Sequence, residues 1–135
     1  MDLFGGLNFW PVLVGTAWSM LLGFLWYGPL FGKAWMKEVG LKSEDVKSSD
    51  ALKGFGISAV TAFIAVWTLA WIMLRLGYAN AWKGFMFGVC VSVGFIAMTI
   101  ISNAAYEKQS LKLVCIQSGY RVVFLAVSGL ILGIW

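Results

Sequence analysis

The sequence predicts an all-α membrane protein. One domain over residues 1–135 is expected to fold as a four-transmembrane-helix bundle with a short amphipathic interfacial segment after helix one. Three observations carry this expectation. Only 12% of the residues are charged and 61% are hydrophobic, whereas an ordinary soluble domain carries about 25% charged residues. Mean hydropathy is +0.86. The apolar residues gather into four stretches, about 9–30, 52–76, 83–103 and 111–135, each near the roughly 20 residues that a spanning helix needs. They are apolar all round, whereas a helix of a soluble bundle keeps a polar face.

The start, Met1-Asp2-Leu3-Phe4, has no positive region, and no small-residue cleavage site follows the first stretch. That stretch is therefore expected to be a retained span and not a signal peptide. Trp10 and Trp26 lie sixteen residues apart, about 24 Å of helix rise, which sets both rings at the edges of a hydrocarbon slab about 30 Å thick. Tyr27-Gly28-Pro29 should end the helix, because Pro29 has no N–H to donate. Phe31, Trp35 and Val39 then recur every four residues, with Lys33 and Lys37 on another face. Such a segment either lies in the membrane interface or packs Trp35 against the bundle. Residues 42–50 are polar and read as solvated loop, or as a brief helix capped by Ser43, with Ser49 or Asp50 capping the second span. The third span is the shortest and gains length if Trp82 and Lys83 sit among the headgroups.

Loop charge gives an orientation. Lys33, Lys37, Lys42, Lys47 and Lys53 surround the first connection, and Lys108 and Lys112 the third; the other side holds only Arg75 and Lys83. This asymmetry predicts a multi-pass protein of the cell's inner (plasma) membrane with both termini outside and connections one and three cytoplasmic. Trp10, Trp82 and Trp135 would mark the outer interface, and Trp26, Tyr27, Trp35 and Tyr106 the inner one.

Small residues recur every fourth position on each span: Gly15, Ser19 and Gly23; Gly54, Ser58 and Ala62; Gly84, Gly88 and Ser92; Gly129 and Gly133. Helices associate in lipid by close approach at such seams. The seams either pack the four helices within one chain or, with the fourth helix as the candidate face, build a homo-oligomer.

The chemistry available is narrow. There is no histidine, hence no side chain with an unperturbed pKa near neutrality. Cys90 and Cys115 are isolated, without ligand spacing, and are expected to be small buried hydrophobes. No phosphate-binding glycine loop, nucleophile elbow or zinc-protease signature occurs. Composition therefore points away from an enzyme, from a metal or organic cofactor and from nucleic acid. A membrane enzyme would have to rely on Glu107 as acid or base, with Tyr106 or Tyr120 assisting.

Arg121 breaks the apolar pattern. It lies nine residues past Lys112 and fourteen before Trp135, about 13 Å of rise from the span's edge. A central arginine costs about 2.5–3.5 kcal/mol on insertion scales, so it should face protein or water. Gln117 stands one turn below it, and Thr99, Ser102, Asn103, Tyr106 and Glu107 form a polar stripe at the end of the third span. With Tyr120 these residues define a candidate polar pocket. Either it holds an anionic group, a lipid phosphate or a carboxylate solute, on Arg121, or it is a buried network that fixes how the third and fourth helices dock.

The run Leu25-Trp26-Tyr27-Gly28-Pro29-Leu30-Phe31-Gly32-Lys33-Ala34-Trp35 resembles a family of small bacterial membrane proteins catalogued as domain of unknown function 1761. Asn103 to Glu107, Ser110 to Leu113, Gly119-Tyr120-Arg121 and Gly129 to Trp135 extend the resemblance over nearly the whole chain. It implies four spans and no particular activity. It also adds weight to Trp26, Tyr27, Gly28, Pro29 and Trp35 as a motif at one interface. Together these readings lead to a small non-enzymatic membrane protein that self-associates or serves a larger membrane complex. The alternative is a transporter, channel or lipid-binding protein that uses Arg121.

Overall fold

A computed structural model describes residues 6–40 and 48–135, the side chains of 48–51 excepted. The helices are α1 (Phe9–Leu25), α2 (Gly32–Val39), α3 (Ser48–Leu76), α4 (Ala81–Val91), α5 (Met98–Glu107) and α6 (Leu111–Ile134). π-helical turns occupy Trp26–Leu30, after α1, and Ser92–Ala97, between α4 and α5. Among the described residues four helical runs are long and apolar enough to cross a membrane: Phe9–Leu30, Leu52–Leu76, Ala81–Glu107 and Leu111–Ile134. They alternate in direction. One end of the bundle, here the basic end, carries α2 and the turn at 108–110. The other, the terminal end, carries the start of α1, the turn at 77–80 and Trp135.

Local chemistry sets the helix ends. The Asn8 side chain accepts a hydrogen bond from the Trp10 N–H at 3.1 Å, and Pro11 falls in the first turn, where an N–H has no helical partner to lose. Asn80 caps α4 through Trp82 N at 2.8 Å. Ser110 caps α6 by accepting from Leu113 N at 3.1 Å. The turn before α6 leaves the helix with Lys108 in the left-handed region, at φ 54°.

Several boundaries differ from expectation. α3 begins at Ser48, so Ser49 and Asp50 lie inside its first turn and not at its cap. The short helix capped by Ser43 falls outside the described residues. The first span ends at Leu30, one residue past Pro29, as expected, but through a π turn in which the Phe31 N–H reaches back five residues to the Trp26 carbonyl at 2.9 Å. The wider turn tolerates a residue that donates no hydrogen bond.

The most extensive helix contact joins α4 to α6. Their backbones touch at glycines: a Cβ on Gly84 would lie 2.0 Å from the Gly129 carbonyl oxygen, and one on Gly88 would lie 2.1 Å from that of Leu125. Gly133 packs in the same way on the Asn80 carbonyl. The seam on the fourth span is therefore taken up inside the chain. Gly15 of α1 fits against Val66 of α3 and Ser128 of α6, and Val12, Val66, Phe124 and Ser128 are fully buried around that level. Gly54 and Gly56 near the start of α3 face open space. Trp10, Trp82 and Trp135 are all exposed at the terminal end. Cys90 and Cys115 are free thiols, exposed and not buried as expected; on a lipid-facing surface a thiol is simply a small apolar group.

Candidate functional site around Arg121

At the basic end two of the four spans leave the bundle. From Leu52 to Thr61, α3 is exposed at every position but Ala59, and α5 is exposed apart from Ile100 and the buried Ala104. The divergence of α5 begins at the Ser92–Ala97 π turn, after which contact with α6 thins. A π turn adds a residue to the helical repeat and redirects every side chain beyond it. α1 and α6 stay together at this end, and the residues between them explain why.

The Trp26 indole donates to the Ile116 carbonyl at 2.9 Å, with its ring against Gly119, where a Cβ would approach it to 2.9 Å. The Tyr120 hydroxyl donates to the Ser19 carbonyl at 3.2 Å and lies 3.1 Å from the Ser19 hydroxyl. Aromatic rings continue the contact: Trp35 on Tyr27 at 5.5 Å, Tyr27 on Tyr120 at 5.4 Å and Tyr120 on Phe124 at 6.2 Å between centroids. Trp26 and Trp35 thus pack, half-buried, on the bundle. Gly32 is equally constrained, since a Cβ there would meet the Tyr27 carbonyl oxygen at 2.5 Å. Gly28 has open space around it. α2 is fastened by Ser110, whose hydroxyl donates to the Glu38 carboxylate. That carboxylate sits at the positive end of the α6 dipole.

Arg121 stands between the two openings this leaves. One cleft, of about 320 Å³ between α1, α3 and α6, is lined by Ser19, Met20, Phe24, Phe55, Ser58, Thr61 and Ala62, with Tyr27, Tyr120 and Arg121. The other, of about 560 Å³ between α5 and α6, is lined by Phe95, Ile96, Thr99, Ile100 and Gln117, again with Tyr27 and Arg121. Both lie within the range of small-molecule sites. Each π turn contributes to the second cleft, Tyr27 from one and Phe95 and Ile96 from the other.

Arg121 is exposed, and its guanidinium carbon lies 5.2 Å from the Tyr120 ring centroid. Among the described residues it has no hydrogen-bond or ion-pair partner, and the same holds for the hydrogen-bonding groups of Gln117 and Tyr27. The acids of the chain are Asp2, Glu38, Glu44, Asp45, Asp50 and Glu107, none of them mid-span. Arg121 lies ten residues into α6, about 15 Å of rise from its start. Among the described residues no carboxylate therefore stands near its level.

Of the residues expected to form the polar pocket, Arg121, Gln117 and Thr99 share the α5–α6 cleft, while Tyr120 faces the α1 side and lines the other. The Thr99 hydroxyl donates to the Phe95 carbonyl of its own helix. Asn103, Tyr106 and Glu107 line neither cleft. Tyr106 is 88% exposed, and Glu107 accepts from the Gln109 side chain at 2.6 Å at the end of α5. Glu107 and the buried Tyr120 thus face different surroundings. Tyr27, expected only as an interfacial aromatic, is a wall of both clefts.

A family model described as "Protein of unknown function (DUF1761)" matches residues 10–133. The chain belongs to this family. No curated protein and no solved structure matches it. In this member of the family, the Trp-Tyr-Gly-Pro segment and the Gly119-Tyr120-Arg121 segment, far apart in sequence, are packed against each other.

Proposed function

We propose that this protein is a non-enzymatic, membrane-embedded binding protein that holds an anionic group on Arg121, with Gln117 and Tyr27 as further donors. The observation that carries this reading is a mid-span guanidinium with no acceptor among the described residues. A charge at that depth is expensive unless it is paired or hydrated. A guanidinium offers a planar fork of donors that matches a carboxylate or phosphate. Gln117 precedes it by one helical turn on α6 and adds amide donors to the same cleft. Rigid packing of Trp26, Tyr27 and Tyr120 holds this wall in place while α3 and α5 stand apart.

The test is a thermal-unfolding titration in mild detergent with acetate or inorganic phosphate. A ligand that binds only the folded state stabilises it by about 2.7 kcal/mol at a hundred times its dissociation constant. The unfolding midpoint of the native chain should rise with one of these anions and that of Arg121→Gln should not. Equal shifts in both, or none in either, contradict the reading.

Self-association, or service as an accessory subunit of a membrane complex, is the second reading. It is favoured by the start of α3, where, among the described residues, Leu52, Phe55 and Ile57 are exposed beside the open Gly54 and Gly56. Cross-linking across a range of protein-to-lipid ratios tests it: a discrete oligomer that survives dilution supports it, and a monomer at all ratios refutes self-association.

A further inference from the structure

We infer that the anion held at Arg121 is the head of a single-chain amphiphile, a carboxylate on an alkyl tail, which reaches its site sideways from the bilayer between α1 and α3. This deepens the anion-binding reading and rests on it. Charge is the first ground. Among the described residues Arg121 is the only charged one lining either cleft, so a singly charged head balances it. A dianionic phosphomonoester would leave excess negative charge at low dielectric, where an uncompensated charge is strongly disfavoured.

The second ground is the cleft beside the head. Met20, Phe24, Phe55 and Ala62 give the α1–α3 cleft apolar walls. Half of its polar side chains, those of Ser19, Thr61 and Tyr120, already have hydrogen-bond partners within the protein. The Ser19 and Tyr120 hydroxyls meet each other, and the Thr61 hydroxyl donates to the Ser58 carbonyl at 3.1 Å. Away from Arg121, Tyr27 and Ser58, what remains is a surface for hydrocarbon. Tyr27 and Arg121 line both clefts, so a head bonded to Arg121, Gln117 and Tyr27 adjoins a tail lying between α1 and α3.

The third ground is access. Phe24 and Phe55, 74% and 60% exposed, belong to the candidate spans Phe9–Leu30 and Leu52–Leu76, so the mouth they border opens toward lipid. Arg121 lies about 15 Å along α6 from the basic end, half of a hydrocarbon slab of about 30 Å. A two-chain phospholipid would have to draw its glycerol backbone and both chains to that depth. A single-chain acid brings one small head.

The experiment uses the full chain in phosphatidylcholine nanodiscs with a palmitate analogue bearing a mid-chain diazirine. After photolysis, labelled positions are mapped by mass spectrometry. Labelling should concentrate on residues 20–27 and 55–62. Oleate should compete with it and methyl oleate should not. Arg121→Gln should lower it roughly ten- to hundredfold, the loss expected for hydrogen bonds to a charged group, and Arg121→Lys should retain part of it. Ser58→Trp blocks the cleft from an exposed position without removing packing, so it should abolish labelling while circular dichroism stays native. Labelling spread over all four spans, or unchanged in Arg121→Gln or in a folded Ser58→Trp, overturns the inference. If acetate or phosphate still stabilises the chain through Arg121 in that case, the anion-binding reading survives alone. If no anion acts through Arg121, both fail.

Discussion

Gly129→Ala tests the packing on which the bundle depends. In the native chain a Cβ at this position would lie 2.0 Å from the Gly84 carbonyl oxygen and 2.8 Å from the Gly84 carbonyl carbon. Side-chain carbons essentially never approach other heavy atoms closer than 3.0 Å, so α4 and α6 must separate by about 1 Å at their tightest point. Both obstacles are backbone, and no rotamer change relieves them. Overpacking costs about 1–3 kcal/mol, and opening the rest of the seam forfeits dispersion along it. Alanine regains up to about 1 kcal/mol of helix propensity. The expected net loss is about 2 kcal/mol. Gly84→Ala meets the same backbone pair from the other side, with the Met73 methyl 2.9 Å away as well. The double variant should therefore cost less than the two single losses together by more than about 0.5 kcal/mol, because one separation accommodates both methyl groups. Gly54→Ala is the control: its Cβ meets nothing within 4 Å, and it should be neutral or stabilising by up to about 1 kcal/mol. Reversible unfolding in sodium dodecyl sulfate mixed micelles, followed by circular dichroism, reads the four variants against the native chain. A Gly129→Ala variant within about 0.5 kcal/mol of native stability, or strict additivity with Gly84→Ala, would refute the packing.

Three further outcomes follow from the contacts of α1, α2 and α6. Trp26→Phe removes the indole bond to the Ile116 carbonyl and should cost about 1 kcal/mol in the same unfolding assay; no change would mean that the bond contributes nothing. Tyr120→Phe should cost about the same by breaking the hydroxyl contacts to Ser19, and a cycle with Ser19→Ala should show coupling between the two positions, whereas simple additivity would mean that they act independently. Ser110→Ala loses both the α6 cap and the tie to Glu38; about 1 kcal/mol should disappear, with faster amide exchange in α2 and in the first turn of α6, and unchanged exchange in α2 would sever that link.

The four spans were legible because hydropathy, glycine spacing and tryptophan placement agree. The stretch expected at 83–103 proved longer, running from Ala81 to Glu107, because Asn80 supplies a cap and the Ser92–Ala97 π turn carries the helix onward. Arg121 was legible as the one charge inside an apolar run. Its surroundings were harder to read. Grouping Asn103, Tyr106 and Glu107 with Arg121 assumes an unbroken α-helix running beside α6. The π turn adds a residue, shifting later side chains by about 100° around the axis, and α5 leaves α6 beyond it. Nothing in Ser92-Val93-Gly94-Phe95-Ile96-Ala97 announces this, apart from a glycine with open space around it. Pro29 was legible as the end of the first span, which stops at Leu30, but not the π turn in which it sits, where the Phe31 N–H serves the Trp26 carbonyl. That same turn sets Tyr27 beside Arg121, where an interfacial aromatic was expected.

The central claim is that Arg121 holds an anion which the protein itself does not supply. Native mass spectrometry of the chain released from lipid nanodiscs, compared with Arg121→Gln, tests it most directly. The account predicts a retained anionic adduct on the native chain that disappears from the variant while the subunit count stays the same. An identical adduct pattern on both proteins would contradict it.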